Sequence, residues 1–336
     1  MFKRFFILVL SAVMASFVFA GCGKSDNVSE KSSDEKKISI VCTIFPEYDW
    51  VKQILGKETE NAEITYLLDK GVDLHSYQPT ADDMVKISEC DLFIYVGGES
   101  DEWVSDALAS AKNKDMQVID LMEVMGSSAK EEELKEGMMP EDEESEEESE
   151  EESEEEPEYD EHFWTSLKNA KLFCTKISDA LCVIDEEHSD EYKTNLSEYT
   201  AKLDDLDKEY QTMIDDAPVK TLIFGDRFPF RYFVEDYGLD YYAAFVGCSA
   251  ETEASFETIS FLAKKVDELN IKTIFVIENS DHSIAESIIQ NTETKDQQIV
   301  ELNSMQSVTG DMIDGGTTYL GLMKQNYNTL KAALYQ

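Results

Sequence analysis

No GxxxxGK phosphate loop, HExxH helix, GxSxG elbow or GxGxxG turn occurs anywhere in the 336 residues. Phosphate cradles, dinucleotide sites and the common hydrolase signatures are therefore missing. Basic residues are scarce as well. Lys and Arg number 29 against 72 Asp and Glu, a net charge of −43. That balance excludes nucleic acid or an anionic membrane surface as the principal ligand, and it concentrates cations around the chain. Six cysteines include no CxxC pair. Cys174 and Cys182 lie on a predicted helix, about 12 Å apart at 1.5 Å per residue, beyond disulfide reach. Cys42, Cys90, Cys174, Cys182 and Cys248 read as small buried thiols, not a thiolate site. Only one long apolar run exists, Phe5 to Ala20, and it is too short to span a bilayer comfortably.

That run follows Lys3 and Arg4 and precedes Ala20-Gly21-Cys22, the layout of a secretory leader. A cysteine directly after small residues resembles a bacterial lipobox, despite Phe19 in place of the usual Leu. Residues 1–22 are expected to be a lipoprotein signal peptide with Cys22 lipidated. Residues 23–37, rich in Ser, Asp and Lys, are expected to be a tether.

Apolar runs then alternate with helical patterns. ISIVCTIF (38–45), EITYLL (63–68), LFIYVG (92–97) and QVIDL (117–121) form one set. TLIFGD (221–226), DYYAAFVG (240–247), TIFVIE (273–278) and QQIVELN (297–303) form another. Continuous apolar character suits strands of parallel sheets buried on both faces. Helical segments such as 48–55 and 80–88 supply the βαβ rhythm. Between the sets, Tyr192, Leu196, Tyr199, Leu203, Leu206, Tyr210 and Met213 recur every three to four residues, placing one apolar stripe along a helix that ends before Pro218. The predicted fold is α/β: two lobes, each a mostly parallel sheet flanked by helices, joined by one long rigid helix. The boundaries are 38–185 for the first lobe, with an acidic loop at 130–161, then 186–217 for the helix and 218–336 for the second lobe.

The acidic loop holds sixteen carboxylates between Glu141 and Glu161. Like charges three and four residues apart repel, and nothing apolar is available to bury, so no stable helix is expected. The run stops at His162-Phe163-Trp164. Its expected role is a low-affinity collector of cations, ending on a ligand.

The chain has four histidines. His75, in DLHSYQPTADDM, and His162, in DEHFWTSLKNA, sit in loops leaving regular structure, where binding residues concentrate. Asp226 lies at the carboxyl end of a strand, the edge at which open α/β sheets bind ligands. Asn303 occupies the matching edge of the last strand. Two imidazoles with one or two oxygen donors suit Zn²⁺ or Mn²⁺. His188 and His282 are not expected to bind the ion.

The stretches DLHSYQPTADDM, DEHFWTSLKNA, FGDRFPFRYFVEDYGL and GTTYLGLMKQN resemble the solute-binding lipoproteins of metal-ion ABC transporters, the zinc and manganese group. The resemblance covers roughly residues 38–335. It implies two α/β lobes joined by one long helix, with the metal between them and His75 and His162 as its first two ligands. Asp226 falls where the family has His or Glu, and Asn303 where it usually has Asp, with Glu47 as a substitute fourth donor. Arg227 and Arg231, next to Asp226, are expected to hold its carboxylate in position. Zinc is expected ahead of manganese, because imidazoles favour it and an extended loop before the second histidine belongs to the zinc side of the group.

The expected function is capture of a divalent ion outside the membrane and its delivery to an ABC permease. The carrier would be a monomer, lipid-anchored on the extracytoplasmic face of the cell membrane, with no enzymatic activity and no nucleic-acid partner. The competing readings are a manganese carrier of the same type, a metal-dependent hydrolase and a surface adhesin.

Overall fold

All eight apolar runs become strands, most of them shortened at the carboxyl end, while TLIFGD extends one residue further to Arg227. The structure, a computed structural model, describes residues 37–139, 158–249 and 253–336. The leader with Cys22, most of the tether and the centre of the acidic run lie outside the described residues.

The first sheet contains β1 (Ile38–Cys42), β2 (Ala62–Tyr66), β3 (Leu92–Tyr95) and β4 (Gln117–Asp120), in the order β2-β1-β3-β4. The second contains β5 (Thr221–Arg227), β6 (Asp240–Phe245), β7 (Thr273–Val276) and β8 (Gln298–Glu301), in the order β6-β5-β7-β8. Every pairing is parallel. Central strands such as Ile40–Cys42 and Leu92–Ile94 are fully buried, which accounts for their unbroken apolar sequence.

The run ISIVCTIF ends as a strand at Cys42 because the chain turns there into α1 (Phe45–Leu55). Pro46 fits the first turn of that helix, where its missing N–H costs nothing. Further helices of the first half are α2 (Ala81–Glu89), α3 (Val104–Ala109), α4 (Leu121–Met125) and α5 (Leu167–Ile184). Thr80 caps α2 reciprocally: its hydroxyl accepts from Asp83 N at 3.2 Å and Asp83 accepts from Thr80 N at 2.9 Å, satisfying two otherwise orphaned donors.

The long helix, α6 (Ser189–Asp215), runs for 27 residues, about 40 Å at 1.5 Å per residue. Of its apolar stripe, Tyr192, Tyr199, Leu203, Leu206, Tyr210 and Met213 are buried and Leu196 packs at the margin. The second half adds α7 (Arg231–Tyr237), α8 (Phe256–Leu269), α9 (Ser283–Asn291), α10 (Gly310–Asp314) and α11 (Tyr319–Leu334). Helix α6 packs against α1 and α5 from the first half and α7 and α11 from the second. Tyr210 donates to Met323 O at 2.6 Å.

One apolar core runs through both halves. Trp50 of α1 stacks on Phe173 of α5 and meets Tyr319 of α11 edge-on, with centroids 5.7 and 5.1 Å away. A shared core of this kind opposes the free hinge motion expected when domains meet over small polar surfaces. The two sheets also direct their carboxyl ends to common ground. Loops after β2, β3 and β6 carry His75, Ser100 and Cys248, and Arg227 ends β5 at the same edge.

Candidate metal centre

His75 sits in the single 3-10 turn Leu74–Ser76. Asp73 opens that turn by accepting from His75 N at 3.0 Å, and Leu74 anchors it in the core. His162 immediately precedes the 3-10 turn Phe163–Thr165, whose Phe163 and Trp164 are fully buried. The aromatic flank is thus an anchor: burying two large rings holds the imidazole between them and Asp160 in one place.

The two imidazoles meet with Nε2 atoms 3.2 Å apart. Each Nδ1 is engaged on its far side, in His75 by Ser100 Oγ at 2.7 Å and in His162 by Asp160 Oδ1 at 3.1 Å. Asp160 also accepts from His162 N at 2.8 Å. With its Nδ1 engaged, each ring turns its Nε2 toward the other, the arrangement by which metal-binding histidines are oriented. A tetrahedral zinc with bonds of 2.0–2.1 Å places two nitrogens about 3.3–3.4 Å apart. The observed spacing needs almost no adjustment.

Charge around the pair is uneven. Burial pulls His162 downward, but Asp160 and then Glu132 outweigh it and hold the imidazole above its usual pKa. His75 is held below its usual value, by burial first and then by His162. Burial pushes Glu132 up to about 7, with Asp160 adding to the rise. Glu161 is raised by burial, and its Oε2 has no hydrogen-bond partner although it lies 3.8 Å from His75 Nδ1. Arg227 is the cation that opposes both histidines. A dication at the Nε2 atoms would relieve this surplus of carboxylate.

The third potential donor near the imidazoles is Cys248. His75 and His162 nitrogens and Cys248 Sγ all lie within 4.8 Å of one another, and no other such group of His, Cys, Asp or Glu occurs among the described residues. Asp226 is not brought into it. Its Oδ1 accepts from Arg227 N at 2.9 Å and its Oδ2 from Ile277 N at 3.2 Å. The pairing of β5 with β6 is irregular between Phe224 and Arg227, and such a break re-aims side chains; here the carboxylate bonds to Ile277, just past the end of β7. Burial pushes the Cys248 thiol up, and Glu132, Asp160 and Glu161 add to that.

The other expected donors serve the backbone. Asn303 Oδ1 accepts from Met305 N at 2.9 Å. Glu47 accepts from Thr43 N at 2.8 Å and Ile44 N at 3.2 Å, deep in the core at the start of α1. Burial pushes its carboxyl up to about 8, against the pull of the Ile44 amide. Replacing Glu47 by Ala orphans the buried Ile44 amide, while Thr43 N keeps Ile94 O at 3.2 Å, and is expected to lower stability by about 1–3 kcal/mol. Zinc affinity should change less than about threefold, since the carboxylate belongs to the cap. Chemical unfolding and a metal titration on the same variant check this, and a hundredfold affinity loss would make Glu47 a ligand.

Arg227 does not hold the Asp226 carboxylate through its guanidinium. It pairs with Asp73, two residues before His75, and so ties the second half of the chain to the His75 turn. Arg231 pairs with Glu133 and Glu235. His188 bonds to Asp185 at 2.7 Å at the start of α6, and His282 begins α9 at φ 66°.

The roles of Ser100, Asp160, Glu278 and Cys248 escape sequence reasoning. Glu278 braces the loop after β8, accepting from Ser304 N at 2.6 Å and Gln306 N at 2.9 Å. For Cys248 a signal does exist. In DYYAAFVGCS a Gly-Cys pair directly follows a strand, at the ligand-binding edge of a parallel sheet.

The flanks of the acidic run are tied together where they are described. Glu131 bridges Tyr159, Asp160 N donates to Lys130 O at 2.8 Å, and Tyr232 donates to Asp160 O at 2.9 Å. Residues 140–157, the body of the expected cation collector, lie outside the described residues.

Two parallel-sheet lobes fused along a single long helix, with paired imidazoles where their loops converge, define a two-lobed solute-binding protein. The chain belongs to the family described as zinc-uptake complex component A, periplasmic (ZnuA), whose model matches residues 40–333. It is 31% identical over 334 residues to the high-affinity zinc uptake system protein ZnuA of Bacillus subtilis, covering 99% of each chain. It is 27% identical to the zinc-binding lipoprotein AdcA of Streptococcus pneumoniae, spanning 96% of this chain and 60% of that longer one. The crystal structure of the Zn(II)-bound ZnuA-like domain of that AdcA superposes with a TM-score of 0.68 at 26% identity, over 89% of this chain and all of the domain.

Proposed function

We propose that this chain is the extracytoplasmic zinc-capturing component of an ABC importer, binding one ion through His75 and His162 and passing it to a membrane permease. The observation that carries the reading is the 3.2 Å Nε2–Nε2 separation with both Nδ1 atoms already engaged. Zinc is favoured over manganese because imidazole suits it and because the named relatives are zinc proteins. Lipidation at Cys22 would hold the carrier beside its permease and raise the effective concentration of loaded protein. The continuous core favours release through movement of the site loops over wide opening of the lobes.

Competition of zinc and manganese against a chelator of known affinity tests the assignment. One equivalent of zinc should bind at least about a hundredfold more tightly than manganese, a difference of about 2.7 kcal/mol. A manganese preference would remove the zinc assignment and leave a carrier. Failure to retain either ion would remove the carrier itself.

A further inference from the structure

We infer that Cys248 supplies the third donor to the captured ion, as a thiolate joining the two imidazole nitrogens of His75 and His162, and that this sulfur sets the preference for zinc over manganese. The inference deepens the metal-capture reading and rests on it.

Geometry is the first support. Sγ belongs to the one cluster of potential metal donors among the described residues, within 4.8 Å of both imidazoles. The local backbone is arranged to bring it there. Strand β6 ends at Phe245, and Glu132 Oε1 then accepts from Cys248 N at 3.1 Å. Gly247 lets the segment approach His162: a Cβ at that position would lie 3.1 Å from the imidazole and 3.0 Å from Phe228 O. Contacts that tight are uncommon for real side chains, so the glycine eases the close approach of the sulfur's segment to the histidine.

Two further observations bear on the choice of donor and on the charge at this place. Asp226, the oxygen donor expected there, is committed to two backbone amides. Glu161 Oε1 accepts from Ser100 N at 3.0 Å, but its Oε2 is buried without a partner beside His75, and a buried carboxylate oxygen left so is costly unless a positive charge joins it. A bound dication supplies that charge to the Glu132, Asp160 and Glu161 surroundings.

Coordination replaces the S–H bond with a metal–sulfur bond of about 2.3 Å, and the proton leaves to solvent. No oxidant or reductant is needed. Thiolate and imidazole suit zinc, whereas manganese favours oxygen donors. Three protein donors leave one position of a tetrahedral ion to water, which suits cargo that must be given up again.

The test uses the full chain with Co(II) as a spectroscopic substitute for zinc. The one-equivalent complex should show an intense thiolate-to-cobalt charge-transfer band in the near ultraviolet. Cys248→Ser should abolish the band, while Cys182→Ser should keep it. Cys248→Ser should also weaken zinc about a hundredfold and manganese less than about tenfold, narrowing the selectivity. An unchanged melting temperature of the metal-free variant shows that the fold is intact, and Cys248→Ala serves if serine perturbs it. Cobalt bound without the band, or with a band that survives Cys248→Ser, overturns the assignment of Cys248 and leaves the carrier reading standing. A wild-type chain that takes up neither cobalt nor zinc overturns both.

Discussion

Replacing His162 by Ala should lower zinc affinity by about 10²–10³-fold. Structural zinc sites with four donors bind with about 10–16 kcal/mol, so each donor carries roughly 3–4 kcal/mol. His162 should lie at the upper end of that range. Its imidazole is fully buried, Asp160 holds its Nδ1 at 3.1 Å, and its ring packs on Trp164 with centroids 5.2 Å apart. A buried, oriented ligand has little freedom left to lose when the ion arrives. His75→Ala should lose nearly as much, because its Nε2 is the matching half of the pair. Chelator competition reads the affinity, and thermal unfolding of the metal-free variants separates ligand loss from misfolding. An affinity within threefold of wild type for either variant would remove that histidine from the site.

Trp164→Ala should produce the largest loss of stability, about 3–5 kcal/mol, the usual cost of truncating a buried tryptophan. Its indole N–H donates to Ser304 O at 2.7 Å, and its own carbonyl accepts from Tyr319 OH at 2.7 Å. One residue two positions from a proposed ligand thus fastens the first half to the loop after β8 through its side chain and to α11 through its backbone. At about 2–4 °C per kcal/mol for a chain of this size, the melting temperature should fall by about 6–20 °C. Trp164→Phe keeps most of the volume but leaves Ser304 O unpaired, and should cost about 1–3 kcal/mol. Urea unfolding measures both. A loss under 1 kcal/mol for the alanine variant would show that the junction does not depend on this contact.

Several parts of the architecture are written in local sequence. The eight strands can be read because parallel strands buried on both faces are apolar in continuous runs, and Ile40–Cys42, Leu92–Ile94 and Ile274–Val276 obey that requirement. Helix α6 can be read because a stripe repeating every three to four residues has only one regular conformation that buries it. Its ends fall at Ser189 and Asp215, inside the expected 186–217, with a 3-10 turn at Glu186–His188 taking up the start. His75 and His162 stand out because histidine is rare here and both occur in aromatic loops.

The choice of donors around those histidines belongs to the tertiary structure. Asp226 near the end of β5 and Cys248 just past the end of β6 lie on neighbouring strands' carboxyl edges and are equally plausible by position. The irregular register after Phe224 and the amide of Ile277 turn the aspartate away, and the close approach at Gly247 brings the thiol in. Glu47 and Asn303 are likewise taken by backbone amides that only the folded chain presents. Local sequence determined strands, helices and imidazoles because periodicity and burial act over a few residues. Which oxygen or sulfur remains free for an ion was decided by contacts between segments far apart in the chain, where every buried N–H must first find its acceptor.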